Sequence, residues 1–408
     1  MLKTLERTYL AVFRAYPLLI VLAAIAFMAE FVYASLNNVI VPLYLDREAA
    51  RLGVNPARLG WAVGSVIATF LAVETLIRIP AGALSDRFGR RLFIAGAPLL
   101  TCFSPVLLAS VSAFWMFYPL RAIDGLGAAT LWPPLLALVG DHVARESRAT
   151  AMSVINMVYV SGLALGLWVS NLVIGYANSA TLALYLCAAM LAAAGLVALL
   201  RLPHAPPGHA HAAHLDADDD YVAARPISGA RVAAMLVITA GQTFSVIILA
   251  PFLELYVTRD LHVAPQHLAL LFVVPGAAVA LTAMPLGRAA DRIGKGFMAK
   301  AGMGGGAVAL WLMPFARTPL GMLGVVTLLG VAVAAAMPAW LALLTELAPR
   351  RSRGFTVAYF GTAQGLGASA AALLGGVIWD IRHAYLFLAA AATLTLCTLL
   401  AAVSVHSD

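Results

Sequence analysis

Five ionisable side chains stand inside long apolar stretches of this sequence: Glu30, Glu74, Arg78, Arg121 and Asp124. Arg, Lys or Asp near the middle of a membrane helix costs about 2.5–3.5 kcal/mol on insertion scales, so such groups are kept for function or paired. Glu30 falls near the midpoint of the first apolar run, with Asn37 and Asn38 about two turns further on. A carboxyl there suits proton or substrate coupling, the alternative being a permanently paired structural acid. Glu74 and Arg78 are four residues apart and Arg121 and Asp124 three, so each pair shares a helix face and can form an ion pair, static or mobile. Asn38 is grouped with these five as a coupling candidate. The second half offers neutral groups instead, of which Gln242, Tyr359 and Gln364 are expected to line a polar cavity. Glu254, near the end of the seventh run, is expected at the interface. Trp61, Phe70, Phe244, Trp311, Trp340 and Phe360 can serve as apolar lining or as core and lipid contacts.

The elements that position these groups follow from composition. Of 408 residues 62% are hydrophobic and 11% charged, against about 45–50% and about 25% in soluble domains. This excludes an ordinary soluble enzyme, a disordered regulator and a disulfide scaffold. Cys102, Cys187 and Cys397 all lie within apolar runs and are expected to be small packing residues. Twelve runs are long enough to cross about 30 Å of hydrocarbon: 17–41, 59–83, 92–112, 114–138, 151–174, 180–201, 231–256, 266–289, 297–317, 320–345, 355–378 and 383–404. No alternation of barrel type repeats, and the first run lacks a small-residue cleavage site, so it is expected to be a retained helix.

The 26 Lys and Arg residues divide unevenly among the resulting loops: 18 fall on one side and six on the other, with Arg78 and Arg121 inside helices. Basic loops stay cytoplasmic, which places both termini there. The net charge of +7 is thereby a matter of topology and asks for no nucleic acid. The polar stretch 202–230 carries His204, His209, His211 and His214, then Asp216, Asp218, Asp219 and Asp220. It reads as a flexible linker rather than a metal site, since Pro, Gly and Ala interleave without a fixed ligand spacing. It divides the chain into six-helix bundles at 1–201 and 231–408.

The two bundles are related by an offset of 205 residues. Gly82-Ala-Leu-Ser-Asp86-Arg87-Phe-Gly89-Arg90-Arg91 is echoed by Gly287-Arg-Ala-Ala-Asp291-Arg292-Ile-Gly294-Lys295. The same shift carries Asp141 onto Glu346, Arg145 onto Arg350, Ser147 onto Ser352, Arg148 onto Arg353, Gly125 onto Gly330 and Pro133 onto Pro338. One offset shared by separate regions marks duplication, giving two pseudo-symmetric bundles of parallel topology. Arg121 and Asp124 land on Val326 and Leu329, so the charges inside helices are not duplicated.

At these residues the chain resembles the major facilitator superfamily. Gly82 to Arg91 matches the family's loop motif between helices two and three, and Arg121, Gly125 and Gly127 match its Arg-x-x-x-Gly-x-Gly motif on helix four. The resemblance implies an all-α integral membrane fold of twelve helices and secondary transport, closest in pattern to the drug–proton antiporters. It also implies a cytoplasmic latch, with Asp86 near the start of the eleventh helix and Arg90 near Asp141. Gly82, Arg87, Gly89 and Arg91 belong to the same latch; Gly287, Asp291, Arg292, Gly294 and Glu346 would be its counterpart. The arginine of the second motif would point into the cavity and modulate a nearby acid, Glu30 or Asp124. The fifth helix keeps Gly162-x-x-x-Gly166, which permits close packing, but lacks the proline and paired glycine of the antiporter motif, leaving direction open.

Three functions remain. Proton-coupled efflux of an apolar or amphipathic compound from the cell (inner) membrane, by a monomer without cofactor, fits the acid on helix one and the motif on helix four. Uptake of a small organic anion would use Arg78 and Arg121 as carboxylate clamps. A non-transporting sensor would rest on the His-rich linker. An enzyme is not expected, because the Ser-x-Gly elbow, His-Glu-x-x-His and phosphate-loop patterns are missing from the sequence.

Overall fold

A computed structural model describes residues 13–203, 229–268, 270–347 and 353–404; within these, the side chains of Asp291, Glu346 and 353–358, with a few others, are outside the described set. The His-rich tract, its aspartates, Arg350 and Arg351 lie outside the described residues. Twelve helices succeed one another: α1 (Pro17–Glu48), α2 (Leu59–Phe88), α3 (Arg90–Ala109), α4 (Phe117–His142), α5 (Arg145–Ala177) and α6 (Ala180–Arg201). After them come α7 (Gly229–Arg259), α8 (Leu270–Ile293), α9 (Lys295–Leu312), α10 (Pro319–Leu347), α11 (Arg353–Ile381) and α12 (Ala384–Ser404). Among the described residues, ten spans are long and apolar enough to cross a membrane. The other two are α8 and α9; in α9, Lys295, Lys300 and the Gly304–Gly306 run lower the hydropathy.

Three helices are interrupted for reasons visible in their residues. In α3 the break at Cys102 has Pro105 just beyond it, which cannot donate to the Thr101 carbonyl. In α7 a break at Ile248–Leu249 precedes Pro251, which leaves the Ile247 carbonyl without its usual donor. In α1 the residues Leu36–Ile40 form a π-helical turn between two α-helical segments, Pro17–Ser35 and Val41–Glu48.

The motif stretch 82–91, expected as a loop, is almost wholly helical. Helix α2 runs on to Phe88 and α3 starts at Arg90, so Gly89 alone separates them. Helix-forming Leu84, Arg87 and their neighbours carry the helix through, and Gly89 ends it with φ 98°, a region that side-chain-bearing residues avoid. At the 205 offset Gly294 repeats this junction with φ 107° between α8 and α9.

By contacts the chain forms two units that are not its sequence halves. The first holds residues up to Ile40 and Val73–Tyr221; the second holds Val41–Ala72 with everything from Val222. Within the first, α1 packs on α5 and α6, and α3 on α4 and α6. Within the second, α9 packs on α10 and α12, and α7 on α11 and α12. There too, the start of α2 lies flush against α11: a Cβ on Gly64 would collide with the Ala372 carbonyl oxygen. The carboxylate of Asp380 seals this seam, accepting the N–H groups of Gly60 at 2.7 Å and Trp61 at 2.9 Å, donors that a helix start leaves without partners.

Gly64→Ala is therefore expected to lower the unfolding free energy by about 1–3 kcal/mol, the range for overpacking a rigid contact. Gly96→Ala, where a Cβ meets open space, is expected to be neutral or slightly stabilising. Thermal unfolding of the two purified variants in one detergent checks the contrast.

Candidate functional site

The five charges inside the spans all fall in the first unit, in two clusters. The first is built on α4. Arg121 and Asp124 have fully buried side chains, and Nη1 donates to Oδ2 at 2.7 Å. A third member comes from the π-helical turn: Arg121 Nη2 donates to Oδ1 of Asn37. The Ser104 hydroxyl of α3 is a further neighbour of the Asp124 carboxylate. Asn38, which the sequence reading placed with the coupling residues, turns elsewhere, donating to the Ala34 carbonyl of its own helix at 2.8 Å. The correction has a simple cause. Seven and eight residues beyond Glu30 both qualify as the same helical face, and the π turn, invisible in the periodicity, decides that Asn37 reaches Arg121.

The second cluster surrounds Glu30. Its side chain is only 6% exposed and hydrogen-bonds Tyr159 of α5, whose ring meets Trp132 of α4 edge-on at 5.2 Å. No cation lies within ion-pairing distance of Glu30 among the described residues. Glu74 and Arg78, one turn apart on α2, pair with each other and lie in the electrostatic neighbourhood of Tyr159. What brings Tyr159 to Glu30 is the Gly162-x-x-x-Gly166 spacing. A Cβ on Gly162 would sit 2.7 Å from the Phe27 carbonyl, and one on Gly166 would collide with that of Phe31. The glycines thus admit α1 to backbone distance, bringing the phenol on α5 alongside the acid. Tyr159 escaped the sequence reading because an aromatic in an apolar run carries no charge signal; its place one turn before Gly162 was the available clue.

At the α2–α3 junction, Arg90 joins two acids: it pairs with Asp141 at the end of α4 and with Asp86 at 3.1 Å. Arg91 donates to the Leu199 carbonyl of α6. Arg87 is exposed, and Gly82 lies in ordinary contact with Pro133. The side chains at the start of α11, where the resemblance puts the Asp86 contact, are outside the described set. In the repeat, Gly287 and Arg292 are exposed, Gly294 forms the turn, and nothing is described of the Asp291 and Glu346 side chains.

In the second unit, Gln242 and Gln364 are half-buried and Tyr359 is 52% exposed. Glu254, expected at the interface, is 1% exposed within the α7 segment that continues to Arg259. That segment packs against Val41–Glu48 of α1, is tied to it by Arg259–Asp46, and stacks Phe252 on Trp379 of α11 at 5.4 Å. Asp380 and the Asp260–His383 pair, at 2.9 Å, are absent from the sequence reading.

Comparison with known proteins decides the family. The family model described as Major Facilitator Superfamily matches residues 19–234 and again 235–407. The chain belongs to the Major Facilitator Superfamily. Multidrug resistance protein MdtG of Enterobacter lignolyticus is 28% identical over 73% of this chain and 71% of its own length. Multidrug resistance protein 2 of Bacillus subtilis is 23% identical over 81% and 82%. Among solved structures, the xylose transporter XylE from E. coli superposes with a TM-score of 0.73 at 16% identity, covering 96% of both chains. The nucleoside transporter NupG gives 0.71 at 14%, over 95% and 100%. Within this superfamily the chain resembles the drug–proton antiporter group. It is a multi-pass membrane transporter of small molecules with the twelve-helix fold, and not an enzyme.

The buried pair on α4 yields a test of its energetics. Asp124→Leu leaves an uncompensated guanidinium and is expected to cost about 3–5 kcal/mol, whereas Arg121→Met combined with Asp124→Leu recovers most of that loss. Unfolding of the three proteins by heat or denaturant measures the difference. A double variant no more stable than the single one would remove the ion pair as the source.

Proposed function

We propose that this superfamily member exports an apolar or amphipathic small molecule in exchange for protons by alternating access, with Glu30 as the proton carrier. The observation that carries the reading is Glu30 itself: an acid buried near the middle of a membrane span, hydrogen-bonded to a neutral phenol, while Glu74 and Asp124 each have an arginine on their own helix. A carboxyl in that setting can gain and lose a proton without breaking an ion pair, and each change alters the cost of its burial. The names of the relatives, multidrug resistance proteins, support a drug as substrate.

The protein is taken as a monomer in the inner membrane with both termini cytoplasmic, following the 18 to six division of basic residues. The six-helix halves 1–201 and 231–408 are its moving bodies and 202–230 their linker. The junction of Asp86, Arg90 and Asp141 then lies on the cytoplasmic side and stabilises the outward-open form. Uptake of an organic anion is less well supported, since Arg78 and Arg121, its two clamps, already hold Glu74 and Asp124.

Purified protein in liposomes under an imposed pH gradient is expected to move substrate in proportion to the gradient. Glu30→Gln is expected to keep substrate binding within about twofold while abolishing substrate-induced proton release, read with a pH dye. Flux indifferent to the gradient, or full proton release from Glu30→Gln, would sink the proposal.

A further inference from the structure

The turn Leu36–Ile40 in α1 is the one π-helical stretch among the described residues. Such turns bond i→i+5 with poorer geometry than an α-helix and recur at functional sites. The cause here is partly local. Pro42 has no N–H, so it cannot close the next turn onto a carbonyl at 37 or 38. Two side chains at the turn bond back to carbonyls of the preceding α-helical segment: Ser35 Oγ donates to Phe31 at 2.5 Å and Asn38 Nδ2 to Ala34 at 2.8 Å.

Two further facts give the turn its meaning. The boundary between the contact units falls at its end, with Ile40 in the first unit and Val41 in the second. Beyond that point, Val41–Glu48 is fastened within the second unit by Asp46 to Arg259 of α7. Before it, Asn37 accepts from Arg121, the arginine that also holds Asp124. One asparagine of the adjacent pair thus bonds the backbone of its own helix, and the other faces the buried charges.

We propose that the π turn is the joint of α1, and that Asn37 is the positioning residue through which the charge on Asp124 governs the Val41–Glu48 segment. The inference concerns the Arg121–Asp124 pair and stands apart from the proton assigned to Glu30. While Asp124 is a carboxylate, the Arg121 guanidinium is fixed between two acceptors and holds Asn37 in the π register. Neutralising Asp124 removes one anchor and loosens the other. The extra residue of the π turn then migrates along α1, rotating each residue it passes by about 100°.

Amide hydrogen exchange of the full-length protein in lipid nanodiscs tests this at residues 36–48. Asp124→Asn is expected to speed exchange there about tenfold, the scale set by losing one charge-assisted hydrogen bond. Asn37→Ala is expected to do the same, and the double variant no more than either alone, because both break one linkage. Asn37→Asp, which keeps the acceptor oxygen, is expected to retain the protection of the unaltered chain. Either single variant without effect, a double variant near the product of the two, or Asn37→Asp exchanging like Asn37→Ala would overturn the proposal. Exchange is read without substrate or gradient, so failure of proton coupling would show in the liposome flux and not here.

Discussion

An arginine and an aspartate with no exposed side-chain surface, three residues apart on α4, set the terms for the rest of the first unit. Neither ion is tolerable alone in hydrocarbon, and together they still need their remaining hydrogen-bonding capacity met. Two other helices bring polar neighbours: Asn37 of α1 accepts from Arg121, and Ser104 of α3 lies beside Asp124. The pair therefore constrains three helices, and the irregular turn in α1 is tolerated where it supplies one of those partners. Glu74 solves the same problem on its own helix with Arg78. Glu30 alone of the three acids meets a neutral partner, which is why the proposed proton is assigned to it.

Duplication supplies the frame without the charges. The junction glycines adopt nearly the same conformation in both halves, φ 98° and ψ 127° at Gly89 against φ 107° and ψ 135° at Gly294. Pro133 and Pro338 both lie inside the long helices α4 and α10. Where α4 carries Arg121 and Asp124, α10 has Val326 and Leu329. Among its described residues the second unit keeps one deeply buried acid, Glu254, at a place the repeat does not predict. A backbone plan can be copied by small residues at turns and contacts, whereas a buried charge must be matched by specific neighbours and so follows the local packing of each half.

That distinction also explains what could be read in the sequence. Helix number, the repeat, the family and the placing of Arg90 near Asp141 came from hydropathy, offset and motif, all of which are properties of the chain as written. The Gly162-x-x-x-Gly166 contact was legible as close packing, but its target, the stretch of α1 around Glu30, was not. Asn37 and Asn38 could not be separated because helical spacing assumes 3.6 residues per turn, and the turn that holds them departs from it. Glu254 stands five residues before the end of α7, and hydropathy alone does not show that the protein buries it there. Tyr159 and Asp380 act through geometry set by distant residues, and nothing in their own neighbourhoods announces a role.

The contact boundaries within α1 and α2 tie these strands together. One falls between Ile40 and Val41, three residues past Asn37; the other falls between Ala72 and Val73, one residue before Glu74. Each helix therefore leaves the first unit within a turn of a member of a charged cluster. Each is then secured in the second unit by an acid: Asp46 on Arg259 for α1, and Asp380 on the first amides of α2. Arg121 and Asp124 themselves stand on α4 within the first unit, and it is Asn37 that brings their hydrogen bonding to the first-unit part of α1.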